Sequence, residues 1–599
     1  MRVTDYIAAF VRDDLGVDTV FMVSGGGMMF LSDGLACAKR LKVVCNHHEQ
    51  ASAMAAVGYA KQRNAFGVAM VTTGCGGTNA MTGLLNAWQD SARAVFISGQ
   101  CKLRQTVRGT GIPLRQFGVQ EADIVAAVRP FSKYVAMVTA PEDIAYELER
   151  AAYEASSGRP GPVWIDVPMD IQGASIDGMR LRHFKPAIRK PHVASLKRDV
   201  RQVAGELKAA ERPVLLVGQG VALAGRQDDL AAIAKSLDVP VVTSFLGGNS
   251  ISGRNKNYLG RIGTKGCRAA NVAVANSDYL LVLGCRLSVS TTGHEYGLFA
   301  RSAQVVVVDV DPGEHAKGTV RIDRLVKADL RDFLPELRAS LVKMADRPWL
   351  RRCLDVKRRY PIVAGKPQGT GCGVSMYECV AAINSALKRQ RNWSVVSDAG
   401  SSFYVTTQVV EVDRNQRYVT SGGQAEMGFS LPAAIGVAAA GARKVIAVSG
   451  DGSVQMNIQE LQTLRHYQHP VKLIVWNNDG YLSIRATQRK FFNGRYIGTD
   501  ATSGVSFPSF RRLAAAYGLR YVRIGHRKEL KQKLGEALSG DDPVVCEVIC
   551  MRDELVVPSI ASVKLPDGRM KSMPPEDMFP FLPWKEFSRL MLVETVPRT

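Results

Sequence analysis

The sequence has 599 residues and a net charge of +22, with 46% hydrophobic and 22% charged residues. That length implies about three domains, and that balance is that of a globular chain, not a disordered one. No run reaches the roughly 18 apolar residues of a membrane span, the eleven scattered cysteines form no CxxC pair, and no nucleic-acid motif accompanies the basic charge.

In chain order, residues 1–16 interrupt their apolar positions with Arg2, Asp5, Arg12, Asp13 and Asp14. They read as an amphipathic first helix, not a secretory signal. Cysteines without a disulfide framework suggest a reducing compartment and mostly buried thiols. The expectation is a cytoplasmic protein with neither membrane nor nucleic acid as partner. Short β-branched runs then alternate with longer helical stretches: 19–23, 67–72, 95–98, 163–167, 214–217, 279–283, 305–310, 394–397, 445–449 and 473–476. Runs of that length between turn signals are typical of buried parallel strands, and their alternation with helices implies doubly wound sheets.

Two stretches without a sustained apolar period, 173–195 and 344–373, read as linkers. The expected architecture is α/β: doubly wound parallel-sheet domains at 1–175, 190–345 and 374–555. An irregular tail follows at 556–599. Pro558, Pro566, Pro574, Pro575, Pro580 and Pro583 exclude a long helix there.

The sharpest local signal is Gly450-Asp451-Gly452-Ser453 after a strand, followed by Asn477-Asn478 at the end of the next. Both sit at carboxyl ends of strands, where open α/β sheets bind ligands. Glycines let the backbone approach a phosphate, and a helix N-terminus favours its charge. A diphosphate also needs a hard cation such as Mg²⁺, which takes oxygen ligands. Asp451 supplies a carboxylate, Asn478 an amide oxygen and Gly480 a carbonyl.

This spacing closely resembles the thiamine diphosphate (ThDP) motif of the acetolactate synthase, pyruvate oxidase and benzoylformate decarboxylase superfamily. The resemblance implies that Asp451, Asn478 and the main-chain oxygen of Gly480 hold Mg²⁺. It implies three domains that bind the pyrimidine, form the centre and bind the diphosphate. Glu49, in Asn46-His47-His48-Glu49-Gln50, resembles the family's glutamate, whose carboxyl group hydrogen-bonds the aminopyrimidine; the small residues after it, 51–58, suit a buried helix. For His47 and His48 a core or capping role stands beside a catalytic one. Gly74-Cys75-Gly76-Gly77-Thr78-Asn79 resembles a GPGATN turn, with Cys75 at the proline position. Residues 158–168 resemble the close of the first domain, and Ser421–Gly428 resembles a GGxGxMG segment. In that segment Met427 would wedge under the cofactor while the Ala425 carbonyl receives its amino group. The resemblance also assigns Gly25, Gly74, Asn79, Gly400, Ser401, Ser402, Gly450, Gly452, Ser453, Tyr481 and Leu482 to the cofactor, and Gln120 to the reacting carbon. It implies a homodimer or homotetramer, each site drawing its glutamate and its metal ligands from different subunits.

The middle domain, with Val217-Gly218-Gln219-Gly220, Gly263-Thr264-Lys265-Gly266 and the 284–293 segment, resembles the FAD-binding domain of acetolactate synthase. Flavin binding, and a redox or purely structural role for it, stay open. The synthases read roughly GxRFDDRVTG where this chain has Gly284-Cys285-Arg286-Leu287-Ser288-Val289-Ser290-Thr291-Thr292-Gly293. Ser290 therefore stands where the family has an arginine for the acceptor carboxylate. Losing such a charged partner costs about 1.5–3 kcal/mol. Thr487 stands where the synthases place a tryptophan. Arg485 reads either as a phosphate or carboxylate contact or as a solvated helix residue. The tail resembles those of ThDP proteins found with bacterial surface-polysaccharide genes.

The resulting expectation is a ThDP- and Mg²⁺-dependent carboligase. It decarboxylates a 2-oxo acid such as pyruvate and transfers the two-carbon unit to a carbonyl acceptor, a nucleotide-linked keto sugar being one that suits the basic charge. The alternatives are acetolactate synthase, a cyclic diketone hydrolase and an FAD-dependent pyruvate oxidase.

Overall fold

The computed structural model describes residues 1–186, 193–341, 347–363, 372–564 and 569–598. The chain divides into two compact units. One is Met1–Arg189, Asn392–Ser402 and Val419–Ile549; the other is Lys190–Arg391, Phe403–Tyr418 and Cys550–Thr599.

Three six-stranded parallel sheets carry the chain. The first has β1 (Thr19–Met22), β2 (Lys42–Cys45), β3 (Gly67–Val71), β4 (Ala94–Gln100), β5 (Tyr134–Met137) and β6 (Val163–Pro168), in the order β2-β1-β3-β4-β6-β5. The second has β7 (Pro213–Val217), β8 (Val241–Thr243), β9 (Tyr258–Arg261), β10 (Tyr279–Leu283), β11 (Gln304–Asp309) and β12 (Arg324–Lys327), in the order β12-β11-β10-β7-β8-β9. The third has β13 (Trp393–Ser397), β14 (Arg417–Val419), β15 (Lys444–Gly450), β16 (Val471–Asn477), β17 (Arg520–Ile524) and β18 (Val544–Ile549), in the order β14-β13-β15-β16-β18-β17.

The first and third sheets thus have the same strand order, and the second has the order typical of dinucleotide-binding sheets. In each, the order reverses beside the first strand, so the ends of β1 and β3, β7 and β10, and β13 and β15 face a crevice where ligands bind.

The central strands of the second sheet show why the apolar runs are continuous. Leu215, Val217, Leu281, Leu283, Val306 and Val308 enter one apolar cluster. Val214, Leu216, Leu280, Val282, Val305 and Val307 enter another on the opposite face. A strand covered by helices on both faces needs apolar residues at every position.

The second cluster also holds Trp349 and Cys353, which lie on the helix Pro348–Arg359. This corrects the linker reading of 344–373. Trp349, Leu350, Cys353 and Val356 are buried and recur at helical spacing, a stripe masked by the intervening arginines. Residues 344–346 and 364–371 lie outside the described residues, as do 187–192 of the other expected linker and Pro566 of the tail. The tail forms the antiparallel pair Ser562–Lys564 and Met570–Ser572 and a short helix, Trp584–Leu590. Seven of the eleven cysteines are buried.

In the first unit, helices α1 (Glu49–Arg63), α2 (Met81–Gln89) and α3 (Ser430–Ala439) meet through small residues. A Cβ on Gly436 would overlap the Ala55 carbonyl oxygen, and one on Gly58 the Ala433 carbonyl oxygen. Backbone this close leaves no room for a methyl group. Gly436→Ala is therefore expected to destabilise by about 1–3 kcal/mol, the usual cost of overpacking. Gly297→Ala, where an added Cβ meets nothing within 4 Å, is the control in denaturant melts.

Candidate active site

At the ends of β15 and β16 the backbone folds around one buried carboxylate. Asp451 Oδ1 accepts from the Gly452 N–H at 2.8 Å, and Oδ2 from the N–H groups of Asn478 and Gly480, both at 3.1 Å. Burial pushes the Asp451 carboxyl up to about 6, against the pull of these three donors and of Arg485. Raised above its ordinary value, it loses stability to ionisation as pH climbs through about 6. Burial outweighs the nearby Arg485 charge at Asp451. Beside it, Asn478 Oδ1 is buried with no hydrogen-bond partner, and an unpaired buried acceptor is costly. An oxygen-seeking cation answers both deficits. No group of three or more His, Cys, Asp or Glu suited to a metal occurs among the described residues. One carboxylate, one amide oxygen and one carbonyl suit Mg²⁺ rather than a softer ion.

The loop is held from behind. Arg485, on α4 (Leu482–Phe491), is 2% exposed. It donates from Nη1 to the Asp479 carbonyl at 2.9 Å and from Nη2 to the Asn478 carbonyl at 3.1 Å. It is therefore not a solvated helix residue; it holds the chain on which the candidate ligands sit. Gly480 has φ +137°, and a Cβ there would overlap the Thr499 carbonyl oxygen. Tyr481 donates its N–H to that same oxygen at 2.8 Å, and its ring covers Gly452 so closely that a Cβ on Gly452 would overlap it. Leu482 and Ser453 are buried, and Gly450 is half-buried. Thr487 is exposed and returns its hydroxyl to the Ser483 carbonyl at 3.0 Å.

Gly400, with φ +61°, opens the helix after β13, with Ser401 and Ser402 buried behind it. Asp398 accepts from the N–H groups of Gly428 at 2.8 Å and Ser430 at 2.9 Å. It so fixes the end of the 421–428 loop. There Ala425 has φ +53° and Met427 is 38% exposed, so a large apolar side chain stands uncovered where the resemblance seats a ring.

In the first sheet, Glu49 opens α1 and is 9% exposed. Asn79 Nδ2 donates to its Oε2 at 2.9 Å. His48 Nδ1 caps the helix by accepting from the Gln50 N–H at 3.1 Å, so the capping role stands for it. His47 is held through its backbone N–H by Glu460 Oε1 at 3.0 Å. Gly25 lies against Thr72, and Gly74 (φ +66°) against the Gln120 carbonyl. Gln120 is exposed with φ +59°. These turns lie at the ends of β1, β2 and β3.

Residues 1–126, 200–337 and 398–548 match the family profiles of the N-terminal TPP binding domain, the central domain and the C-terminal TPP binding domain of thiamine pyrophosphate enzymes. The chain belongs to the acetolactate-synthase-like family of thiamine pyrophosphate enzymes. Among its curated relatives are a probable acetolactate synthase large subunit of Methanocaldococcus jannaschii, 30% identical over 547 residues that cover 89% of each chain, and an acetolactate synthase large subunit of Cyanidium caldarium, 31% identical over 92% of this chain and 93% of the relative. The acetolactate synthase isozyme 3 large subunit of Escherichia coli is 33% identical over 88% of this chain and 90% of the relative. The enzyme is thus ThDP-dependent, and no described helix is long and apolar enough to cross a membrane.

In the second unit, Ser290 is half-buried, with its hydroxyl 2.9 Å from that of Ser288 and its carbonyl accepting from the Thr264 N–H at 2.9 Å. Gly218 and Gly220 pack on Gly284 at the switch point of the sheet. The His315 side chain is buried, with its Nε2 3.3 Å from the Asp309 carboxylate.

Arg485→Met should leave folding largely intact but raise the Mn²⁺ concentration for half-saturation, read by electron paramagnetic resonance, about 10-fold. That is the effect of losing charge-assisted bonds that orient ligands. Unchanged Mn²⁺ binding would remove Arg485 from the site.

Proposed function

We propose that this enzyme is a Mg²⁺-dependent decarboxylating carboligase. It releases CO₂ from a 2-oxo acid, pyruvate first among donors, and joins the remaining two-carbon unit to a second carbonyl. The unpaired Asn478 Oδ1 beside the buried Asp451 carboxylate carries the cofactor half of this reading. The likeness over about nine-tenths of the chain to proteins named acetolactate synthase supports the reaction half. Acetolactate formation is accordingly the first reaction to test.

ThDP, when bound, supplies an electron sink for cleaving the bond to the carboxylate. The chain's part is to place and protonate. Glu49, oriented by Asn79, presents a carboxyl group to a ring nitrogen. Asp451, Asn478 and the Gly480 carbonyl hold the cation, and Met427 and Ala425 support the ring. Tyr481 and Leu482 would line the cofactor, and Gln120 would lie by the reacting carbon.

A second reading concerns the acceptor. Ser288 and Ser290 place two hydroxyls 2.9 Å apart where the family pattern carries an arginine. Hydroxyls bind neutral oxygen-rich groups and bind a carboxylate less well than a guanidinium does. This favours an uncharged carbonyl acceptor, such as a keto sugar, over a second 2-oxo acid. Flavin in the middle domain, and self-association as a homodimer or homotetramer, belong to the same proposal. Exposed Ile112, Leu114, Phe117 and Val119 beside Gln120 are the kind of surface a partner copy covers.

Purified protein with ThDP, Mg²⁺ and pyruvate is expected to release CO₂, with products read by mass spectrometry. Acetolactate supports the synthase reading. A product two carbons heavier than an added keto-sugar nucleotide supports the second reading. Oxygen uptake would indicate an oxidase, and turnover of a cyclic diketone without CO₂ a hydrolase; either would sink the carboligase. Glu49→Gln should slow exchange of the C2 proton of bound ThDP by at least about 100-fold, measured by quenched NMR. Ser290→Arg should lower the KM for a 2-oxo acid acceptor about 10-fold, the scale of one charged hydrogen bond.

A further inference from the structure

The 420–428 loop is tied down by a buried polar cluster that the functional reading leaves unused. From α1, Lys61 Nζ donates to the Thr420 carbonyl at 2.8 Å, to Asn86 Oδ1 at 3.0 Å and to Asp90 Oδ2 at 2.7 Å. Asp90, at the end of α2 and fully buried, accepts the N–H groups of Gly422 at 2.9 Å and Gly423 at 2.7 Å. Asn86 Nδ2 donates to Glu426 Oε1 at 2.7 Å, and Ser421 Oγ is bonded to Glu426 Oε2. The Ser421 oxygens in turn accept the Ala425 N–H, the carbonyl and the hydroxyl each at 3.1 Å. Ala425 is held by these bonds at φ +53°, a left-handed conformation that alanine avoids.

We propose that Glu426 is a positioning residue of the cofactor loop: its carboxyl group, gripped between Asn86 and Ser421, locks the turn that presents Ala425 and Met427 to the thiamine pyrimidine ring. This rests on the reading of 421–428 as the ring-binding loop.

The cluster is matched in charge when Glu426 is neutral. Lys61 and Asp90 are the charged groups facing it, and they balance each other; an ionised Glu426 leaves one negative charge in excess. Burial pushes the Glu426 carboxyl up to about 7; Asp90 pushes the same way, while Ser421 and Lys61 oppose it. A carboxyl held above its ordinary value stabilises the native loop at low pH. That stability is lost as pH rises from about 4.5 through about 7. The loop is therefore best locked on the acidic side of neutrality.

The test is ThDP binding to the full-length protein at saturating Mg²⁺, by calorimetry from pH 6 to 8.5, for wild type, Glu426→Gln and Glu426→Ala. Glutamine keeps the shape of the neutral acid. It should hold the low-pH affinity across the range, while the wild-type Kd rises roughly 5–10-fold, the scale of one charged group left unmatched. The ratio of the two Kd values cancels the titration of Asp451, which both proteins share. Alanine should bind about 10-fold more weakly at every pH, with an apoprotein melting temperature showing that it folds. A constant ratio between wild type and Glu426→Gln, or Glu426→Ala binding like wild type, overturns this inference alone. Wild type that binds no ThDP at any pH overturns the reading of the site together with it.

Discussion

One buried carboxylate organises the ring side of the site. Asp398, at the end of β13, accepts from five donors: the N–H groups of Ala399, Gly428 and Ser430 and the hydroxyls of Ser430 and Ser449. Charge-assisted bonds to a fixed anion are short and directional. These join three separate stretches of chain. Ser449 lies on β15 two residues before Asp451, Ser430 starts α3, and Gly428 ends the loop that carries Met427. A buried anion with its partners removed is strongly destabilising. The geometry of loop, helix and metal strand is therefore set together or lost together.

Much of this was legible in the sequence, for a physical reason. Apolar runs such as 279–283 must be strands because both their faces are covered, and Gly450-Asp451-Gly452 can only be a tight turn at a strand end. What stayed hidden depends on pairing across the fold. Lys61, Asp90 and Glu426 come together only through the packing of α1 and α2 against the 420–428 loop, and Asp398 acts through the N–H groups of Gly428 and Ser430 far along the chain. Arg485 read equally as an anion contact or as a solvated helix residue, and its burial follows from the carbonyls of Asn478 and Asp479 turning towards it. The helix at 348–359 was masked because four arginines and a lysine surround its apolar stripe.

The shared strand order of the first and third sheets was equally invisible, since no short repeat marks it. It has a consequence for the site. Each of these sheets opens a crevice beside its first strand, and each lines it with glycine turns: Gly25 and Gly74 in one, Gly400 and Gly452 in the other. Helices α1 and α3 then pack where each has small residues, so the two domains approach backbone to backbone. The family resemblance gives the cofactor's ring to one such crevice and its diphosphate to the other, and two sheets of the same strand order supply one crevice of each kind.

Backbone strain occurs at the same places, among others. Asn64, Asp238 and Gln468 have positive φ as the ordinary left-handed caps of helices. Gln120, Ala425 and Asp479 have φ of +59°, +53° and +56° with no such cap to explain them. A left-handed non-glycine residue costs about 1–2 kcal/mol, and it persists only where its surroundings over-determine it. Around Ala425 that is the work of Ser421 and Glu426. Around Asp479 it is Arg485 on its carbonyl and the Asn477 side chain on its N–H, at 3.1 Å. Both residues lie one or two positions from an atom expected to touch cofactor or cation. Relaxing the backbone at either would turn that atom away. The energy stored in these turns therefore sets the orientation of the loops, and the polar clusters beneath them are what hold it there.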